Sequence, residues 1–177
     1  MEFEEKTLST ENIFDGRVIH VRVEKVELPD GKTSTRELIG HPGGVGVIAV
    51  DEHRKVFMVS QYRIAARSMM LEIPAGKLEY GENPLECGKR ELIEETGYKA
   101  NEFTHLGEYY ATPGYCEEVL NIYLAKDLEF VGQNLDEGEF LNVKQYDLDE
   151  LYQMVMDNKI YDAKTAIAIL KAKAILG

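Results

Sequence analysis

Basic residues are scarce in this chain: 20 Lys and Arg stand against 32 Asp and Glu over 177 residues, a net charge of −12. That shortage excludes a basic surface for the phosphates of a nucleic acid, so no nucleic-acid partner is expected. Cysteine is scarcer still. Cys87 and Cys116 stand at neither pairing nor zinc-binding spacing, and reduced thiols are expected. No apolar run approaches the roughly 20 residues of a membrane-spanning helix, so no membrane partner is expected. The acidic start MEFEEKTL lacks a signal-peptide pattern, which makes the cytoplasm the expected location. Internal repeats, low-complexity tracts and Pro/Gly/Ser linkers are missing too. What is there is ordinary for a globular protein, with 44% hydrophobic and 29% charged residues in a length that buries a core without disulfides. The negative surplus would also repel a small anion unless a cation stood between them.

The first forty residues read as strands. Val18–Val26 is β-branched with partial alternation, and Leu28-Pro29-Asp30-Gly31-Lys32 makes a turn before a second strand from Thr33 to Ile39. After the break at Pro42-Gly43-Gly44, the charge-free Val45–Val50 reads as a buried strand. Across the turn Asp51–Arg54, Lys55–Tyr62 is its expected hairpin partner. The clearest helix spans about Asn83 to Thr96, with Asn83 as cap, Pro84 in the first turn and Gly97 as the left-handed stop. Leu85, Gly88 and Leu92 are expected on its core face. Strands are expected at Glu102–Tyr110, Glu118–Leu124 and Phe140–Val143, and helices at Leu148–Asp157 and Ala163–Ala174. Strands followed by helices, with one helix mid-chain, indicate a mixed α+β sandwich rather than a doubly wound parallel sheet.

The mid-chain helix has an unusual polar face. Glu91, Glu94 and Glu95 stand at i, i+3 and i+4, where like charges cost a helix roughly 0.2–0.5 kcal/mol per pair. Arg90, four residues before Glu94, offsets only part of this. Two readings stand: a solvated charged face, or a site for a divalent cation, since Mg²⁺ takes carboxylate oxygens and bridges to substrate phosphates.

From Gly76 the chain runs Gly76-x5-Glu82-x7-Arg90-Glu91-Leu92-Ile93-Glu94-Glu95-Thr96-Gly97-Tyr98. This resembles the Nudix box, Gly-x5-Glu-x7-Arg-Glu-U-x-Glu-Glu-x-Gly-U with U a bulky apolar residue. All seven fixed positions match; Tyr98 departs from the pattern only in being aromatic. The resemblance implies an α/β/α sandwich with a mixed sheet. It also implies hydrolysis of a nucleoside diphosphate linked to another group, with Mg²⁺ or Mn²⁺ as cofactor. By the same resemblance Glu91 and Glu95 are the main metal ligands, Glu94 assists, and the carbonyl of Ala75 adds an oxygen. Arg90 orients the glutamates, Glu82 holds the loop or reaches metal through water, and Gly76 and Gly97 serve as turn residues.

Three flanking features resemble the ADP-ribose pyrophosphatase subfamily. Pro113, sixteen residues after Gly97, stands at the subfamily's marker position, where it also reads as a rigid turn. Arg63, in Gln61-Tyr62-Arg63, falls where the subfamily places an arginine on the phosphate–ribose portion, and a guanidinium matches phosphate oxygens bidentately. In the loop Asp136–Phe140, Glu139 matches a metal-completing glutamate and Glu137 the general base, with relatives differing over which of the glutamates is the base, so Glu139 stands as the other candidate; the plain alternative is an acidic surface loop. Glu118 matches a substrate-side acid. The subfamily's N-terminal sheet pairs with that of a partner subunit, which implies a homodimer with Phe14 and Arg17 in an adenine pocket; a plain core or surface role is equally open for both. The division implied is a sheet segment at 1–40 and a catalytic domain at 41–177.

The expectation is therefore an Mg²⁺-dependent hydrolase converting ADP-ribose to AMP and ribose 5-phosphate. The alternatives are another nucleoside diphosphate sugar or a nucleoside triphosphate as substrate, or a ligand-sensing domain without catalysis. The last is disfavoured because every box glutamate is kept.

Overall fold

The computed structural model describes residues 2–135 and 140–177, and the chain divides into two units: Met1–Gly43 with Tyr110–Val119, and Gly44–Tyr109 with Leu120–Gly177. In the first, β1 (Lys6–Asp15), β2 (His20–Glu27) and β3 (Thr33–Gly40) form an antiparallel sheet in chain order. The turn between β2 and β3 closes at Gly31, whose φ of +82° a side chain rarely adopts. β1 was not foreseen as a separate strand. It is solvent-exposed along its whole length, so no burial pattern marks it in the sequence. Residues 110–119 join this unit through hydrogen bonds from Ile39 N–H to the Tyr115 carbonyl and from Glu117 N–H to the Ile39 carbonyl. Arg22 pairs with Glu24 and Glu117.

The second unit is built on two sheets. One has the order β7-β4-β9-β8, with β4 at Gly44–Ala49, β7 at Ala75–Lys77, β8 at Tyr98–Tyr110 and β9 at Val119–Phe130; β4 runs parallel to β9 and antiparallel to β7. The other has the order β10-β5-β6, from β5 (Lys55–Arg63), β6 (Ser68–Glu72) and β10 (Leu141–Asp147), all antiparallel. The fold is the mixed sandwich expected. The hairpin between Val45–Val50 and Lys55–Tyr62 is not formed. The turn leaves only a bridge between Val50 and Val56, and the two strands enter different sheets. A buried strand without alternation states no preferred neighbour, so adjacency in sequence misled here.

β4 carries no charge because both its faces are covered. Val45, Val47 and Ala49 pack with Cys87 and Leu92 of α1 (Pro84–Thr96), while Ile48 packs with Leu148 and Leu151 of α2 (Leu148–Met156) and Ala168 and Ile169 of α3 (Ala163–Leu176). Burying each large side chain contributes about 1.5–3 kcal/mol. Gly88 lets α1 approach closely: a Cβ there would meet the methyls of Val45 and Val47 at 3.0 and 3.1 Å. On the helix face expected from periodicity, Leu92 and Gly88 are buried, Leu85 only partly, and Cys87 takes a deep position.

Candidate functional site

The site begins with how α1 is held. Asn83 Oδ1 accepts from the amides of Leu85 and Glu86, and Pro84 follows with no amide to satisfy. Gly97 ends the helix in the left-handed region at φ +79°, its N–H donating to the Ile93 carbonyl. The Glu94 and Glu95 carbonyls near the helix end, and that of Gly97, are bonded by protein groups. Segment 131–134 lies across them, with Val131 N–H on Gly97, Asn134 N–H on Glu94 and the Gln133 side-chain amide on Glu95. The helix therefore presents its polar face from a rigid support.

On that face the Arg90 guanidinium spans three acids. Its Nη1 is 2.8 Å from both Glu91 and Glu94, and its Nη2 is 3.4 Å from Glu82. The surrounding charge outweighs burial and raises the Arg90 pKa, so the group stays cationic. Glu82 Oε2 accepts the Glu79 N–H at 2.9 Å, a bond that lowers the Glu82 pKa and closes the loop before the helix. Beneath lies Cys87, whose thiol is pushed up to about 12 by burial and by the Glu82 charge, so it is inert at neutral pH. Glu95, only 3% exposed, accepts the Ala75 N–H on Oε2 at 3.0 Å. Gly76 gives Glu91 its place: a Cβ on residue 76 would lie 2.0 Å from the Glu91 carboxyl carbon and from Oε1.

These groups line a cleft of about 530 Å³ with Gln61, Arg63, Lys77 and Glu79. Among the described lining residues four carboxylates (Glu79, Glu82, Glu91, Glu95) face three cations (Arg63, Lys77, Arg90), a set that by itself repels an anion. Among the described residues no three acidic, histidine or cysteine side chains are grouped closely enough to hold a metal ion in this arrangement. The donor set nevertheless fits a hard divalent cation: it is all oxygen, and the space at Gly76 is filled by a carboxylate rather than a side-chain methyl.

Of the residues singled out in the sequence, Arg63, Ala75, Gly76, Glu82, Arg90, Glu91 and Glu95 are brought together on this cleft, with Glu94 bridged to it by Arg90 and Gly97 ending the helix. Arg63 is engaged within the protein, donating from Nε and Nη2 to the two carboxylate oxygens of Glu72 at 2.8 Å each. Phe14, Arg17, Pro113 and Glu118 belong to the other unit. There Phe14 and Arg17 are exposed, Pro113 sits in a turn closed by Cys116 N–H on the Thr112 carbonyl, and Glu118 stands 3.8 Å from His41 Nδ1. Glu137 and Glu139 lie outside the described residues.

Sequence reasoning missed Glu72 and Lys164. Glu72 is 2% exposed and takes both Arg63 and Lys164. Burial raises its pKa, but the Arg63 hydrogen bonds and the Lys164 charge outweigh that and bring it to about 2. The signal available was one acid between Leu71 and Ile73; nothing in the sequence joined it to Lys164, 92 residues on.

Comparison with known proteins gives consistent matches. The NUDIX domain profile matches residues 40–166, and the profile of a nucleoside diphosphate sugar hydrolase N-terminal domain matches residues 5–39. The chain is 46% identical to an ADP-ribose pyrophosphatase of Bacillus subtilis over 168 residues, covering 94% of this chain and 91% of that one. It is likewise 46% identical to a methanol dehydrogenase activator of Bacillus methanolicus over 169 residues, with the same coverage of each chain. A crystal structure of an ADP compounds hydrolase, 24% identical, superposes with a TM-score of 0.85 over 98% of this chain and 94% of its own.

Proposed function

The chain belongs to the Nudix family, and from that premise we propose that it is a pyrophosphohydrolase converting ADP-ribose and water to AMP and ribose 5-phosphate, with Mg²⁺. What carries the reading is the cleft where Glu82, Glu91 and Glu95 meet Arg63. The similarity along nearly the whole chain to an ADP-ribose pyrophosphatase adds to it. Glu91 and Glu95 would hold the cation, with Glu94, the Ala75 carbonyl and Glu139 completing its oxygen set. When bound, the cation supplies neutralising charge for the diphosphate and acidifies water for attack.

The protein's own groups do the rest. Arg63 receives phosphate oxygens, Arg90 keeps the glutamates in register through its ion pairs, and Glu137 takes a proton from the attacking water. Water adds at one phosphorus as the bridging P–O bond breaks. On either side of residues 136–139 the described chain is bonded within this unit. Asn134 N–H bonds the Glu94 carbonyl, and Leu141 begins β10 opposite Gln61 of the cleft wall. A panel of ADP-ribose, other nucleoside diphosphate sugars and nucleoside triphosphates, each with Mg²⁺ and with a chelator, tests the reading. ADP-ribose is expected to give the highest kcat/KM, abolished by the chelator. Faster turnover of a sugar nucleotide or a triphosphate would reject the substrate, and no turnover of any would favour a sensing domain.

The division into a sheet segment at 1–40 and a catalytic domain at 41–177 belongs to the same proposal, with the first serving a homodimer. β1 is an edge strand with Leu8, Ile13 and Phe14 exposed, and such an edge invites a partner. Phe14 and Arg17 would then serve the adenine, Glu118 would accept hydrogen bonds from the nucleoside, and Pro113 would shape the wall. Light scattering at micromolar concentration is expected to give twice the chain mass; a monomer would reject the dimer. No helix among the described residues is long and apolar enough to cross a membrane. With two free cysteines and a net charge of −12, a cytoplasmic enzyme acting on small molecules is the proposed setting.

A further inference from the structure

Lys164 lies far from the box in sequence and in a different element, yet it is 11% exposed and its ammonium is 2.5 Å from Glu72 Oε2. On its other side it is 3.0 Å from Asp162, the N-cap of α3. The same Asp162 oxygen accepts the Thr165 amide and hydroxyl, and Thr165 Oγ1 accepts the Ile73 N–H at 2.9 Å. The first turn of α3 thus grips both the side chain of Glu72 and the backbone of the next residue. Glu72 in turn receives Arg63 through Nε and Nη2, in the fork geometry that fixes a guanidinium in one plane. Among the described residues Nη1 of Arg63 has no hydrogen-bond partner, and its side chain is 43% exposed on the cleft.

We propose that Lys164 is a positioning residue. Held by Asp162, it fixes the Glu72 carboxylate from behind, and Glu72 fixes the Arg63 guanidinium with Nη1 left for a phosphate oxygen of the substrate. The proposal rests on Arg63 facing the diphosphate in the function proposed above. With the carboxylate so fixed, Arg63 loses rotamer freedom that substrate binding would otherwise have to remove. Lys164 itself touches no substrate.

The test compares Lys164→Met, Lys164→Arg, Arg63→Lys and the Lys164→Met/Arg63→Lys double variant, with thermal unfolding to check that each folds. For ADP-ribose with Mg²⁺, Lys164→Met is expected to raise KM about tenfold, the worth of one hydrogen bond to a charged group, with little change in kcat. Lys164→Arg should restore KM to near the original. In the Arg63→Lys background, Lys164→Met should add less than about twofold, because both act through one guanidinium. An unchanged KM in Lys164→Met, or KM effects that multiply in the double variant, would overturn the proposal. A second readout needs no substrate. The Arg63 Nε–H signal in ¹⁵N NMR, assigned by its loss in Arg63→Lys, should be protected from solvent exchange in the original chain and in Lys164→Arg, and exchange rapidly in Lys164→Met. An Nε–H equally protected in Lys164→Met would also overturn it. If the original chain is inert toward ADP-ribose, the functional reading fails while this signal still decides the positioning role.

Discussion

Replacing Glu95 by Gln is expected to lower kcat for ADP-ribose by about 10²–10³-fold, the scale seen when one charge-stabilising group is removed from an active site. The substitution isolates charge from shape. Glu95 is almost wholly buried, and its Oε2 accepts the Ala75 N–H, a bond that the amide oxygen of Gln can keep. Its neighbours Glu91 and Glu94 are also acidic, so removing one negative charge relieves repulsion. The Tm of the metal-free variant is therefore expected to equal or slightly exceed that of the original chain. Steady-state kinetics across a Mg²⁺ titration, beside thermal unfolding, checks both halves. Activity within a few-fold of the original at saturating Mg²⁺ would reject Glu95 as a ligand. A large loss of Tm would instead mean that the charge serves the fold.

The second large effect is expected from the smallest change, Gly76→Ala. The added methyl would land 2.0 Å from the Glu91 carboxyl carbon and 2.5 Å from its Cγ, closer than any real contact. The obstacle is the end of a flexible side chain, not backbone, so the cheap response is for Glu91 to swing away. The expected result is a loss of turnover of about 10²-fold with a stability cost of only about 1 kcal/mol. Gly97 differs, although it belongs to the same motif. It sits at φ +79°, and a Cβ there would meet the backbone nitrogen of Gln133 at 2.7 Å. One glycine makes room for a carboxylate and the other turns the chain, a distinction their identical appearance in the motif conceals. A Gly76→Ala variant with full activity would show that Glu91 works from more than one position.

Much of the site was legible because it is local. α1 is bounded by Asn83-Pro84 and Gly97, its glutamates recur at helical spacing, and Arg90 lies one turn from Glu94; all of this follows from 3.6 residues per turn. Strand β4 was legible from its lack of charge, since only a strand covered on both faces dispenses with polar residues. β1 was not legible, because a strand with both faces exposed carries no burial pattern. Nor was the separation of β4 and β5 into different sheets, since pairing depends on which edges remain open once β9 and β10 have arrived from later in the chain.

By itself, then, the sequence determined the helix, the acidic cluster on one of its faces and the glycines at its borders, because backbone geometry fixes neighbours within a turn or two. Tertiary structure alone decided what faces that cluster. It brought Ala75 to Glu95, set Gly76 against Glu91, and gathered Arg63, Glu72 and Lys164 from β5, β6 and α3 into one charged assembly. Those contacts join residues up to 92 positions apart. The free energy that brings them together comes mainly from burying the apolar faces of β4, α1 and α3, and the charged groups meet where that packing places them.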